Sequence, residues 1–305
     1  MNHVHLFAGL ALVALLAGCV APAAVAPRAP VTRPAHVASL PAEYANAVSF
    51  ARTMGPLIYR HWRAVHVAAG LLQRTPTAHG DGWVTEQTDS TGTVRVSFIA
   101  AAGTVQSNSR WQPHSLSPLW VSAAVRVPDE VSGRAPELIA TAAPRTLTAF
   151  EHAKLRARIT ALAAETGSCA GARDAVVISW RRDGADVFYA YVLAAAQDTG
   201  APQVGADREM ILDGEGARVL ASRLLAAQCL PVGRDSDAAL SLSTSLRAAP
   251  EPIDVFHALR FARPLHLHTT MNGLTWLLEG DRVTLLDAAS HDSTAAHGSL
   301  PGAAR

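Results

Sequence analysis

The chain has 305 residues, 49% of them hydrophobic and only 17% charged, with 26 Lys and Arg against 25 Asp and Glu. That is too apolar and too weakly charged for a disordered polypeptide, and the length leaves room for a core of about two typical domains. A formal net charge of +1 supplies none of the long-range field that nucleic-acid binding needs, and no Arg stripe interleaved with aromatics is present.

The first segment in chain order, Leu6 to Gly18, reads LFAGLALVALLAG, thirteen residues without a charge or strong polar group. A spanning helix needs about 20 apolar residues, so this one is too short to cross a bilayer. It matches the apolar middle of a secretory signal peptide, and it runs into Leu16-Ala17-Gly18-Cys19. That tetrad resembles the lipobox of bacterial lipoproteins: an aliphatic residue, two small residues that admit the signal peptidase, and a Cys whose thiol takes a diacylglyceryl group. The resemblance implies cleavage after residue 18 and a mature chain that begins with lipidated, N-acylated Cys19. The segment ahead of it, Met-Asn-His-Val-His, departs from the family's pattern in carrying no Arg or Lys. Val20 stands where an Asp tends to retain lipoproteins in the inner membrane. The resemblance therefore implies the periplasmic face of the outer membrane, with the acyl chains as membrane partner.

Residues 20–41, VAPAAVAPRAPVTRPAHVASLP, hold five prolines among Ala and Val without helical or strand period. They read as a semi-rigid tether reaching about 60 Å at about 3.1 Å per residue. Ala42 to Arg74 has a helical pattern, and Gly55-Pro56 predicts a break into a short helix and a longer one. From Gly82, alternation at Val94, Val96 and Phe98 with Asp-Ser-Thr-Gly as a turn predicts antiparallel strands. PLWVSAAVRV reads as a further strand closing a unit over 42–127, and residues 128–145 read as a connector rich in Pro and small residues.

In the unit over 146–287, Thr148 and Glu151 fit a capping box at the start of a helix ending near Glu165. DAVVISW, an Arg-Arg-Asp-Gly turn, ADVFYAYVLAA, QVGADREMIL, Asp-Gly-Glu-Gly and ARVLASRLL then predict a four-strand meander. PLHLHTT, LTWLLE and DRVTLLD predict a last hairpin, and residues 288–305 read as a disordered tail. The class is α+β, helices packed on antiparallel meanders. The order helix-then-meander occurs in both halves, without residue-level self-similarity between them. The meander with its Asp-Gly turn is faintly similar to PepSY-like modules, from which no function is carried across, and the mature region shows no named family.

Once Cys19 is lipidated, Cys169 and Cys229 remain. In an oxidising compartment they are expected to pair, closing a loop of about 60 residues for roughly 4 kcal/mol. The rival role for Cys169 is nucleophilic. Gly167-Ser168-Cys169-Ala170-Gly171 matches a nucleophile elbow in residue type, but the order here is helix before and strand after, the reverse of what an elbow needs. Asp198-Thr199-Gly200-Ala201 resembles the signature turn of aspartic proteases, where two such turns bring paired carboxylates together; the chain has one copy. His266 and His268 alternate, so on a strand they share a face, with His257 near in sequence. They are the candidate metal ligands, although HExxH and CxxC spacings are absent. His61 and His66 stand five apart, which does not align them on a helix, and scattered surface or capping histidines are the expected reading. The six Trp residues are expected in the core.

Lys154 is the single lysine, and Glu151 occupies the position a Ser-x-x-Lys motif would need. P-loop and dinucleotide fingerprints are absent, so no cofactor is expected. The expected function is a lipid-anchored binding or scaffolding protein, without catalysis, with an envelope protein as partner. The alternatives are a periplasmic hydrolase using Cys169 or Asp198, and a small-ligand-binding module.

Overall fold

The computed structural model describes residues 37–73, 82–101, 119–139, 144–164, 173–194, 203–226, 229–232 and 239–286. The expected signal peptide (1–18), the expected tether up to residue 36 and the expected tail (288–305) lie outside the described residues. The described residues belong to one compact unit, Ala35–Arg305.

Helix α1 (Ala42–Leu72) is one continuous helix, where Gly55-Pro56 predicted a break. Pro56 does forfeit a backbone hydrogen bond. Gly55 has a packing purpose instead, because a Cβ there would stand 2.5 Å from the Val255 Cβ and 2.8 Å from the Pro252 carbonyl. Close approach of a second helix holds α1 together through the weak point. Its buried positions Val48, Ala51, Met54, Ile58, His61, Val65, Ala68 and Leu72 recur at steps of three and four, the spacing of one helical face, with Gly55 and Ala64 buried beside them. At 31 residues it is about 46 Å long, long enough to serve three separate cores.

The first sheet comprises β1 (Gly82–Gln87), β2 (Val94–Ala101), β3 (Leu119–Val127), β4 (Glu137–Ile139) and β5 (Arg145–Thr146), all antiparallel. Strands β4 and β5 come from the stretch read as a connector; each pairs with β3, so part of that stretch belongs to the sheet. The expected alternation holds: Val94, Val96 and Phe98 face Ala64, Val65, Ala68 and Leu72 of α1. In the Asp-Ser-Thr-Gly turn, Asp89 Oδ1 accepts from the Thr91 and Thr93 amides at 3.0 Å each.

Helix α2 (Ala149–Ala163) starts at the capping box expected from sequence: the Glu151 amide donates to Thr148 Oγ1 at 3.2 Å, and the Thr148 amide donates to Glu151 Oε2 at 2.9 Å. Strands β6 (Arg173–Arg182), β7 (Ala185–Ala194), β9 (Arg208–Asp213) and β10 (Val219–Leu224) form the expected meander in the order β10-β9-β7-β6. Between them, β8 (Gln203–Val204) pairs with β11 (Leu230–Pro231) as a separate ribbon. Both faces of the meander are covered. Ala153, Ala157 and Ala161 of α2 pack on Val177, Phe188, Ala190, Val192, Met210 and Leu212, while Met54 and Ile58 of α1 pack on Tyr189, Tyr191, Leu193 and Ile211. Burial on both faces explains why β7 reads as a nearly unbroken apolar run.

The third sheet holds β12 (Leu240–Thr244), β13 (Leu265–Thr269), β14 (Leu274–Glu279) and β15 (Arg282–Leu286). The last three are the strands expected from sequence. Strand β12 is parallel to β13 and reaches it through α3 (Pro252–Phe261), a β-α-β crossover. Val48 and Ala51 of α1 join Val255 and Ala258 of α3 over Leu265, Leu267, Trp276 and Leu278. The first described residues join this sheet: Val37 bridges to Leu286, and the Ala38 amide donates to the Leu285 carbonyl at 3.0 Å. The architecture is therefore α+β, with α1 as a spine over three sheets.

Candidate functional site

Two buried polar centres and one pocket stand out. The first centre lies where α3 meets the ends of the meander strands. His257, on α3, points its Nε2 at Asp207 Oδ2, 2.9 Å away, and both side chains are 2% exposed. Asp207 Oδ2 also accepts from the Gly205 amide at 3.2 Å. The turn that delivers it is unusual, with Gly205 at φ +119° and Ala206 at φ +48°. An alanine in the left-handed region is costly and persists only where its surroundings fix it; here Arg173 donates to the Ala206 carbonyl and the Leu225 amide to the Asp207 carbonyl. His257 Nδ1 is buried without a partner.

Beside this pair, Arg247 is held by the Asp254 carboxylate and the Leu225 carbonyl. Asp254 in turn accepts from the Glu251 amide at 2.8 Å, which caps α3. Arg223 joins Glu209 at 2.8 Å to Glu251 at 2.5 Å. Burial, and then the Glu209 carboxylate, push the Tyr191 phenol well above its usual range. Burial raises the Glu251 carboxyl against the pull of Arg223 and Arg247.

A pocket of about 100 Å³ opens against this network. Its walls come from Val204 of β8, Leu225 just past β10, Leu230 of β11, Leu242 of β12 and Leu267 of β13, with Ser243, Ser245 and Arg247 as polar members. Leu230 and Leu246 remain 38% and 46% exposed and form an apolar rim.

The second centre joins α1, α2 and β1. Thr85 binds both partners: its Oγ1 lies 2.7 Å from His61 Nδ1, and its carbonyl accepts from Lys154 Nζ at 2.5 Å. Burial drops the Lys154 amine to about 7, opposed only in part by Glu86. Burial, then Lys154 and Arg60, push His61 well below the usual imidazole range. Nearby, Glu151 meets Arg145 through two bonds of 2.6 and 2.7 Å and accepts from Ser97 at 3.3 Å. Burial works against its charge, but Arg145 and the Thr148 amide prevail and hold the carboxyl at about 2.

The residues singled out from sequence are scattered across this frame. Cys19, Cys169 and Asp198 lie outside the described residues. Cys229 immediately precedes Leu230 of the pocket wall and is not a free, titrating thiol. His266 and His268 share the β13 face opposite buried Leu265 and Leu267, and His268 Nδ1 lies 3.4 Å from Thr275 Oγ1. His257 does not join them, being buried on α3 against Asp207. Among the described residues no group of three or more His, Cys, Asp and Glu is arranged to hold a metal ion. His61 is buried, a correction to its expected surface role, because Thr85 and Lys154 supply polar company inside the fold. Trp276 is fully buried as expected, whereas Trp62, Trp83 and Trp180 border the cores.

No family model, curated protein or solved structure matches the chain. The pocket and the Asp207–His257 and Arg247–Asp254 pairs were missed in the sequence because no motif joins positions running from 204 to 267. The one local signal was Glu-Pro-x-Asp at 251–254, a helix start with Pro at its first position.

Proposed function

We propose that the chain is a lipid-anchored binding protein at the periplasmic face of the outer membrane, acting without catalysis. The observation that carries this is Leu16-Ala17-Gly18-Cys19 at the end of a thirteen-residue apolar run. Each buried methylene of an acyl chain contributes about 0.8 kcal/mol, so two or three chains anchor durably. The position of Val37 against β15 supports a spacer role for the preceding prolines. No described helix is long and apolar enough to cross a membrane.

Within this reading, the pocket favours the small-ligand form of binding over scaffolding alone, since it combines aliphatic walls with an Arg deep in the fold. Globomycin, which blocks lipoprotein signal peptidase, tests the anchor. The precursor with residues 1–18 attached is expected to accumulate; processing that continues unchanged would remove the anchor.

A further inference from the structure

We infer that the outer edge of β15 takes an extended acidic segment of a partner polypeptide, which pairs along Arg282–Leu285 and brings carboxylates to Arg52 and Arg282. The inference deepens the binding-protein reading by naming the chemistry of a partner, and it rests on that reading.

Strand β15 closes the third sheet, whose order is β12-β13-β14-β15. Among the described residues, its outer side pairs with Val37 and Ala38 alone. Because the Ala38 amide donates to the Leu285 carbonyl, the main-chain groups of Leu285 point away from β14, and alternation along an antiparallel ladder turns those of Val283 the same way. Residues after Ala38 leave this edge and enter α1 at Ala42. Among the described residues no main-chain group bonds the Leu285 amide or either main-chain group of Val283. A groove of about 400 Å³ opens there, between β15, Leu40 and α1, a size usual for binding sites. An edge that already accepts one strand at its end is a template for another to continue along it. At about 3.4 Å per residue, Arg282–Leu285 offers about 13 Å to such a segment.

Charge sets the kind of segment. Arg52 of α1 and Arg282 of β15 both line the groove and both are exposed. Val283 and Leu285 pack under α1 and α3, so Arg282 projects from the opposite face of the sheet. The groove therefore carries one arginine on each side of the strand edge. Arg282 stands opposite Glu279 in the register with β14, yet among the described residues neither guanidinium takes part in an ion pair or hydrogen bond. Successive side chains of an added strand point to opposite faces. Two adjacent acidic residues would thus meet Arg282 on one face and Arg52 on the other, as opposite charges across strands favour. Pairing of β15 with its own copy would instead crowd four guanidinium groups along one edge, which like-charge repulsion opposes.

The test uses the full mature chain, 15N-labelled and titrated with the capped tetrapeptide acetyl-Val-Asp-Glu-Val-amide. The Val283 and Leu285 amide signals are expected to shift saturably, with a Kd on the order of 1 mM. Acetyl-Val-Asn-Gln-Val-amide should bind at least about threefold more weakly. Arg52→Gln and Arg282→Gln should each weaken the acidic peptide by about two- to fivefold and leave the Asn-Gln peptide unchanged. The acidic peptide N-methylated at Asp and Glu, which cannot pair along a strand, should not bind. Equal affinity for the acidic and Asn-Gln peptides would overturn the charge assignment, and undiminished binding of the N-methylated form would overturn strand pairing. Absence of saturable shifts with the acidic peptide would overturn the site. Shifts of the same signals produced only by phosphatidylglycerol vesicles, or only by raising the protein concentration, would overturn it too and give the edge to a lipid surface or a second copy. All these outcomes leave the globomycin result untouched, whereas peptide binding with globomycin-insensitive processing would remove the anchor alone.

Discussion

Lys154 concentrates the chain's unusual residue chemistry in one place. It is the only lysine, it is 3% exposed, and it carries its amine to the carbonyl of an edge strand. Because burial lowers the folded pKa to about 7 from 10.5, the unfolded chain holds a proton that the folded chain has lost between those values. Folding stability therefore rises with pH across that window and is reduced below it. Urea unfolding at pH 7, 8 and 9 is expected to show this rise in the native chain and its loss in Lys154→Met; a rise that persists in the variant would contradict the assignment. The capping box around Glu151 was legible in the sequence because its two members sit three residues apart. The partners of Lys154 were not, since Thr85 stands 69 positions earlier and nothing local connects them. His61 was hidden for the same reason.

At the scale of elements, the two glycines of α1 give opposite expectations. Gly55 lies against α3, where an added Cβ would meet Val255 at 2.5 Å, whereas Gly70 has nothing within 4 Å. Gly55→Ala is expected to destabilise by about 1–3 kcal/mol through overpacking, and Gly70→Ala to stabilise by up to about 1 kcal/mol through helix propensity. Thermal unfolding of the pair checks this; shifts of the same sign would contradict the helix–helix contact. The buried face of α1 was plain in its spacing, yet the contact that carries the helix through Pro56 is long-range and left no local trace. Helix α3 escaped notice for a different reason. Seven consecutive residues from Pro252 to Ala258 are buried, Asp254 and His257 among them, and the helix is only ten residues long, so no solvent-facing stripe sets it apart in the sequence. Strand β12 is five residues long and pairs in parallel across that helix, which hides its partner.

For the whole molecule, strand alternation and turn residues were enough to indicate the α+β class and the central meander, but not the division into three sheets along one helix. That division depends on pairings across the chain, such as β12 with β13 and β5 with β3. The pocket shares this property, since its walls are assembled only when separate sheets meet. Pairing of Cys169 with Cys229 would tie down the pocket wall at Leu230, and closing a loop of about 60 residues is worth roughly 4 kcal/mol in the chain-entropy model. Alkylation of the non-reduced mature protein is expected to label neither thiol. A reactive Cys169 would contradict the pairing and restore the nucleophile as a contender.

The most direct measurement of all is intact-mass and amino-terminal peptide analysis of the protein extracted from cell envelopes. Residues 1–18 should be missing and Cys19 should carry a thioether-linked diacylglyceryl group with an acylated amine. An unmodified Cys19 still joined to Gly18 would contradict the account at its base.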